Sequence, residues 1–410
     1  MSVKYKARPC RAIRRFSVKD LPITRLELLE SLYTHTFDNF YIEYNGYFSN
    51  CLVQNCIALY HIGGSKEKFQ SFVEHYICQL EPLHGPTRQK QDLGLNFQEV
   101  TLKELQGRRG GYYKIRKHYH VILANKYDDN LDEFLRSEFP ALILGISAIH
   151  AVEIVGYAYS INSSELVCDG LAYLYHSYSP IVLKKEHNWL KFGLGNWPTL
   201  EVLEKIGGDF ELSNFILRRR RSSSGDVLRQ QIEMNQTDLQ LYLKERGDAL
   251  MEYVFRIKLP LKALKNPEEI LKYVLDQILL VYVRCESRNN THFLGVISSG
   301  WALLQVLPLI KETQMKLQLI CVHICTFLAI FLSQGKPKLM VQASSESTVV
   351  GMTWDKILES LLSLPVSIDH NIYRLVQVCY LRGLKNMDIG TSELYKRACV
   401  STMELDGMKS

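Results

Sequence analysis

The feature that most constrains the fold is a spacing of apolar residues at three and four that runs through most of the chain. This is the period of amphipathic helices that share one core. In SKEKFQSFVEHYICQL, Phe69, Phe72, Val73, Tyr76 and Leu80 fall on one face, and Ser65 stands where a cap is needed after Gly63-Gly64. NPEEILKYVLDQILLVYV opens with Asn266 as cap, Pro267 at the first helical position and two acids in the first turn. TWDKILESLLSL repeats the scheme, with Thr353 as cap and Trp354, Ile357, Leu358, Leu361 and Leu362 turned inward. No convincing set of alternating strands competes with these segments, and no repeat of 20 to 50 residues divides the chain. The expectation is an all-α protein.

Two apolar windows decide between a membrane and a core. Leu317 to Leu332 contains Gln318 and His323, and Phe139 to Ile161 contains His150 and Glu153 near its middle. Polar groups at those depths are costly in lipid, so both read as buried helices of a large core, with no membrane span. In the second window, Pro140 starts a helix to about Tyr159. Ser163 or Ser164 then caps another that ends near Pro180, and the short SINS connection makes an antiparallel hairpin. His150 and Glu153, at i and i+3, point from the same side of the first helix. An imidazole beside a carboxylate can move a proton; equally, the acid can simply satisfy a buried histidine.

The formal charge of +6 is not spread over the chain. Residues 1–16 hold six Lys or Arg and no acid, and Arg218 to Arg221 add four more, which leaves the remainder mildly acidic. A nucleic-acid-binding face is therefore not expected. Ten cysteines are scattered through apolar sequence without a CxxC pair, a pattern of reduced, buried thiols in an intracellular protein. Cys321 and Cys325 share a helix face, but no second pair completes a zinc site. The basic start runs into KDLPITRLELLE rather than an apolar stretch, so the expected location is cytoplasmic, with an acid-poor mitochondrial presequence as the minor alternative. The domain reading is a basic, flexible segment over 1–20, one helical domain over 21–400 and a flexible tail over 401–410. Within the domain, RRRRSSSG places an exposed Arg/Ser-rich loop at about 215–236, with serines suited to a basophilic kinase.

The common cofactor and catalytic motifs are missing: no GxGxxG follows a strand, and GxxxxGK[ST], GxSxG and HEXXH do not occur. GRRGG at Gly107 to Gly111 lacks the setting of a phosphate cradle, and His118 and His120, at i and i+2, do not share a helix face.

What the chain does carry is a series of longer matches. GISAIHAVEIVGYAYSINSSELVCDGLAYLYHSY (Gly145 to Tyr178) is similar to the signature of the questin oxidase-like family, which reads about GAxHPLIHLGYGxEF followed by xxxxEGLAYxxxSY. SNCLVQNCIALYHIGGSKEKFQSFVEHY (Ser49 to Tyr76) resembles that family's HNHxAHHLLALYALGASPEQLQxAYxxxY. Weaker similarity follows at Thr291 to Ile310, Leu328 to Pro337 and Asp369 to Leu381, all in family order. The resemblance implies a large, bundle-like single domain of helices enclosing a central cavity. It also implies an oxidoreductase that acts on aromatic or polyketide-like small molecules, by ring cleavage or Baeyer-Villiger-like oxygen insertion. The cofactor implied is a non-haem iron held by histidines and a modified lysine in one branch, or NADPH in others.

Carried over residue by residue, the family's first cluster of histidines falls on Ser49, Cys51, Gln54 and Asn55. In the central motif the first histidine is His150 and the second falls on Ile154. A further family histidine falls near Gly295, with His292 as the nearby substitute, and the lysine appears as Arg374. A guanidinium can be neither carboxylated nor a ligand, so no metal ligand is assigned. The expected catalytic residues are His150 and Glu153; Tyr157, Asp169, Tyr173, His292 and Arg374 are expected to line the substrate site. The alternative is an inactive relative that keeps the helical chamber to bind a ligand or a partner protein.

Overall fold

The computed structural model describes residues 23–35, 39–44, 48–82, 101–108, 111–216, 238–285, 291–340, 352–384 and 389–407. The basic start, the RRRRSSS run and the last three residues lie outside them. In chain order the helices used below are α1 (Arg25–His35), α2 (Leu52–His61), α3 (Lys66–Ile77), α4 (Tyr112–Tyr127), α5 (Leu131–Glu138), α6 (Ile149–Ser160), α7 (Ser164–His176), α8 (Thr199–Gly208), α9 (Gly247–Phe255), α10 (Pro267–Arg284), α11 (Thr291–Val306), α12 (Thr313–Ser333), α13 (Trp354–Ser363), α14 (Asn371–Gly383) and α15 (Ile389–Gly407). Among the described residues the only sheet is a two-stranded antiparallel pair, Glu43–Tyr44 with Phe48–Ser49. The all-α expectation holds.

The expected caps are in place. Ser65 accepts from Lys68 N, Asn266 from Glu269 N and Thr353 from Lys356 N, each satisfying an amide that a helix start leaves open. Ser163 caps α7, and Asn162 in the left-handed region (φ 55°) turns the chain between α6 and α7. The helix expected from Pro140 is broken. Phe139–Gly145 is a 3-10 stretch, and α6 begins only at Ile149. At the end of that stretch Gly145 passes so close to Tyr178 that an added Cβ would stand 2.2 Å from its ring. The segment 401–410, expected as a tail, continues α15 as far as Gly407. Thr402 is buried there and exchanges a 2.7 Å hydrogen bond with Tyr282 of α10.

Five helices make the centre: α6 lies against α11, α7 and α2, while α14 packs on α2 and α11. Their close approach depends on small residues. A Cβ on Gly156 would come 2.4 Å from Ala302 Cβ on α11, and one on Gly170 would come 2.7 Å from the Val155 backbone nitrogen. The helices His292–Leu309 and Thr313–Ser333 are long and apolar enough to cross a membrane, yet most of each is buried against the rest of the fold. Every described cysteine is free, and all but Cys78 are buried.

Candidate functional site

His150, Glu153 and Tyr157 recur at three and four residues along α6 and so share one of its faces. The opposing helices answer with the same spacing. Asn371, Arg374 and Gln377 come from α14, Ser298 and Trp301 from α11, and Cys51 and Gln54 from the start of α2. The result is a polar seam running through an apolar core.

Glu153 is its hub. The carboxylate is fully buried, and such a charge is stable only if its oxygens are paired and hydrogen-bonded. Ser298 Oγ donates to Oε1, while Arg374 Nη1 and His150 Nδ1 donate to Oε2, the last at 2.9 Å. Arg374 is 1% exposed and also donates to Asn371 Oδ1. Burial alone would raise the Glu153 carboxyl, but the charges of Arg374 and then His150 hold it below the usual carboxylate range. Burial likewise disfavours a charged imidazole. The neighbouring Cys51 sulfur and the Glu153 carboxylate outweigh it and carry His150 up to about 10. At neutral pH His150 is therefore an acid with a proton to give, rather than a base.

The imidazole is not sealed in. A quarter of its side chain, 26%, is exposed, against none of Glu153. Cys51, the N-cap residue of α2, places Sγ 3.7 Å from His150 Nδ1, and Gln54 Nε2 donates to the His150 carbonyl at 3.2 Å. His292 feels the His150 charge; burial first and that charge second lower its imidazole to about 4, so it stays neutral beside its protonated neighbour. Gly295, near which the resemblance places a family histidine, is close to the same ring, since an added Cβ would lie 3.6 Å from His150 Cε1.

The other expected residues are placed differently. Tyr157 donates to Gln377 Oε1 at 2.8 Å and packs its ring 4.6 Å from that of Trp301, which continues the seam into the core. Asp169 is turned to α4, where Arg116 Nε lies at 2.5 Å and His120 Nε2 at 3.4 Å. Tyr173 shares a 2.6 Å hydrogen bond with Ser49 and stacks near His176. Sequence reasoning thus brought His150, Glu153 and Arg374 together. It missed Cys51, Ser298, Asn371 and Gln377 as members of the same cluster. Their signal was available only as spacing: Cys51 and Gln54, like Arg374 and Gln377, are three apart, on segments whose remaining residues are largely apolar.

Three buried atoms on the seam, Gln54 Oε1, Arg374 Nε and Gln377 Nε2, have no hydrogen-bond partner among the described residues. Buried polar atoms rarely stay unpaired, so these three mark hydrogen-bonding capacity that no described residue meets.

A resident iron of the kind the resemblance implies does not fit here. Among the described residues only one imidazole, that of His150, lies within a cluster of potential metal donors, its Nδ1 is committed to Glu153, and the carboxylate is already neutralised by a guanidinium. No step below passes through iron. Comparison with curated proteins finds no match. A family model described as questin oxidase-like matches residues 48–379, most of the chain and the whole of this seam, and the chain belongs to the questin oxidase-like family.

Proposed function

We propose that the protein is an oxidoreductase of questin oxidase-like type acting on an aromatic or polyketide-like ketone, with His150 as the group that protonates the substrate. The observation that carries this reading is a partly exposed imidazole held on a buried carboxylate, which is itself fixed by Arg374 and Ser298. In this reading the His150 proton is offered to a substrate carbonyl oxygen as negative charge develops there, a use for which a fixed donor is effective. Glu153 orients the ring and stabilises its charged form, and Arg374 keeps Glu153 ionised. His292, neutral and nearby, contributes a polar wall. The unpartnered atoms of Gln54, Arg374 and Gln377 offer two donors and one acceptor to a substrate's oxygens or to the waters that solvate them.

The test is turnover of hydroxylated anthraquinones and related polycyclic ketones in air, with and without NADPH, followed by mass spectrometry of the products. His150→Ala is expected to lower the rate about a hundredfold or more. An unchanged rate would remove His150 from the chemistry. The second reading, an inactive relative that binds the same ligands, is favoured by the replacement of the family's histidines at Ser49, Cys51, Gln54 and Asn55. It predicts ligand binding, seen as fluorescence quenching, with no product under either condition.

A further inference from the structure

The donors at the head of α6 have a second capability. Cys51 Sγ comes from the N-cap of α2, His150 Nδ1 and a Glu153 carboxylate oxygen come from α6, and all lie within 4.8 Å of one another. A thiol sulfur, an imidazole nitrogen and a carboxylate oxygen so arranged are three donors for a tetrahedral divalent ion, with a fourth position left open. Cys51 and Glu153 are buried, and only His150 reaches solvent, which gives the cluster one route of entry.

Arg374 stands in the way. Its guanidinium bonds Oε2, the oxygen shared with His150, and Asn371 anchors its other end. A guanidinium keeps its proton and offers no lone pair, so it cannot become a ligand. A divalent ion entering beside it would place two positive centres on one carboxylate in a medium of low dielectric. Arg374 already supplies the positive charge that the buried carboxylate requires, which is what a metal would otherwise do there.

We infer that Cys51, His150 and Glu153 form a latent divalent-metal site that the Arg374 guanidinium keeps closed, and that removing this one charge opens it to a thiophilic ion. The donor set is this chain's own, a thiol and a carboxylate around a single histidine. Loading forms metal–sulfur, metal–nitrogen and metal–oxygen bonds and releases to solvent whatever protons the donor atoms carry. No electron is transferred.

The experiment uses Co2+ and the full chain after dialysis against a chelator. Cobalt bound to a cysteine sulfur gives a charge-transfer absorption, and elemental analysis gives the stoichiometry. Wild type is expected to take up no stoichiometric Co2+ and to show no such band. Arg374→Gln and Arg374→Met are expected to bind one equivalent with the band, and with affinity on the order of a hundredfold tighter than wild type, the scale on which neighbours of metal ligands act. Adding Cys51→Ser to either variant should abolish the band. A band in wild type, no band in the Arg374 variants, or a band that survives Cys51→Ser would overturn the proposal. Should a variant be recovered unfolded, refolding with and without Co2+ is the readout. Recovery only with the ion supports the closed site, whereas equal recovery, or none, overturns it.

Discussion

A single carboxylate decides the character of the seam. Glu153 has no exposure, and its two oxygens gather a hydroxyl, a guanidinium and an imidazole from three different turns of the fold. Breaking a buried pair from one side leaves an uncompensated charge, which costs more than the pair contributes. Glu153→Ala is accordingly expected to destabilise the protein by about 3–5 kcal/mol, because it strands Arg374 and a protonated His150. Arg374→Met should cost a similar amount by stranding Glu153. The double variant should be well short of the sum, since each change removes the other's unpaired partner. Chemical denaturation of the two single variants and the double variant measures this directly. Strict additivity would mean that the two side chains do not depend on each other.

At the level of elements, the seam exists because α6 can lie close to α11 and α7, and glycine makes that approach possible. Gly156 faces Ala302 so closely that a methyl group would stand 2.5 Å from the Ala302 carbonyl oxygen. Backbone cannot move aside as a flexible side chain does, so Gly156→Ala is expected to cost about 3 kcal/mol or more. Gly208, at the end of α8, has nothing within 4 Å of its added Cβ and should tolerate alanine, with a gain of about 0.5 kcal/mol from a stiffer unfolded chain. Thermal melts of the two variants separate packing from propensity; similar shifts would show that the α6–α11 contact is not tight. This contrast also marks what the sequence could disclose. Caps at Ser65, Ser163, Asn266 and Thr353 are local, and so are the apolar stripes they introduce; both were legible. The close approach of Gly145 to Tyr178 and the turn of Asp169 toward Arg116 join partners remote in the chain. No window around either residue contains that information. The same holds for the site: spacing along α6 placed His150 beside Glu153, and the family resemblance pointed to Arg374. Cys51, Ser298 and Gln377 joined them only when α2, α11 and α14 packed.

Over the whole molecule, histidine burial sets how stability responds to acid. His61 and His323 lie in the apolar interior, and His61 Nδ1 and His323 Nε2 have no hydrogen-bond partner among the described residues. Burial lowers each imidazole to about 4 from an ordinary 6.5. The folded state therefore holds them neutral, and their contribution is complete above the unfolded value of about 6.5. As pH falls from 6.5 toward 4 the unfolded chain takes up protons that the folded chain refuses, so stability drains away over that window. His150 acts in the opposite sense. Its folded value of about 10 makes its contribution full below 6.5 and lost as pH rises through 10, so it does not offset the acid loss. Each buried histidine is worth on the order of 3 kcal/mol across the acid window. His323 is the cleaner case to test, because it is 1% exposed and burial is the sole cause of its shift. His323→Leu should flatten the fall in denaturation free energy between pH 6.5 and 4 by roughly that amount and reduce proton uptake on unfolding by about one in this range. An acid limb equally steep in wild type and variant would mean that the imidazole finds a partner or water in the folded state, and that burial at position 323 is not what makes the protein acid-sensitive.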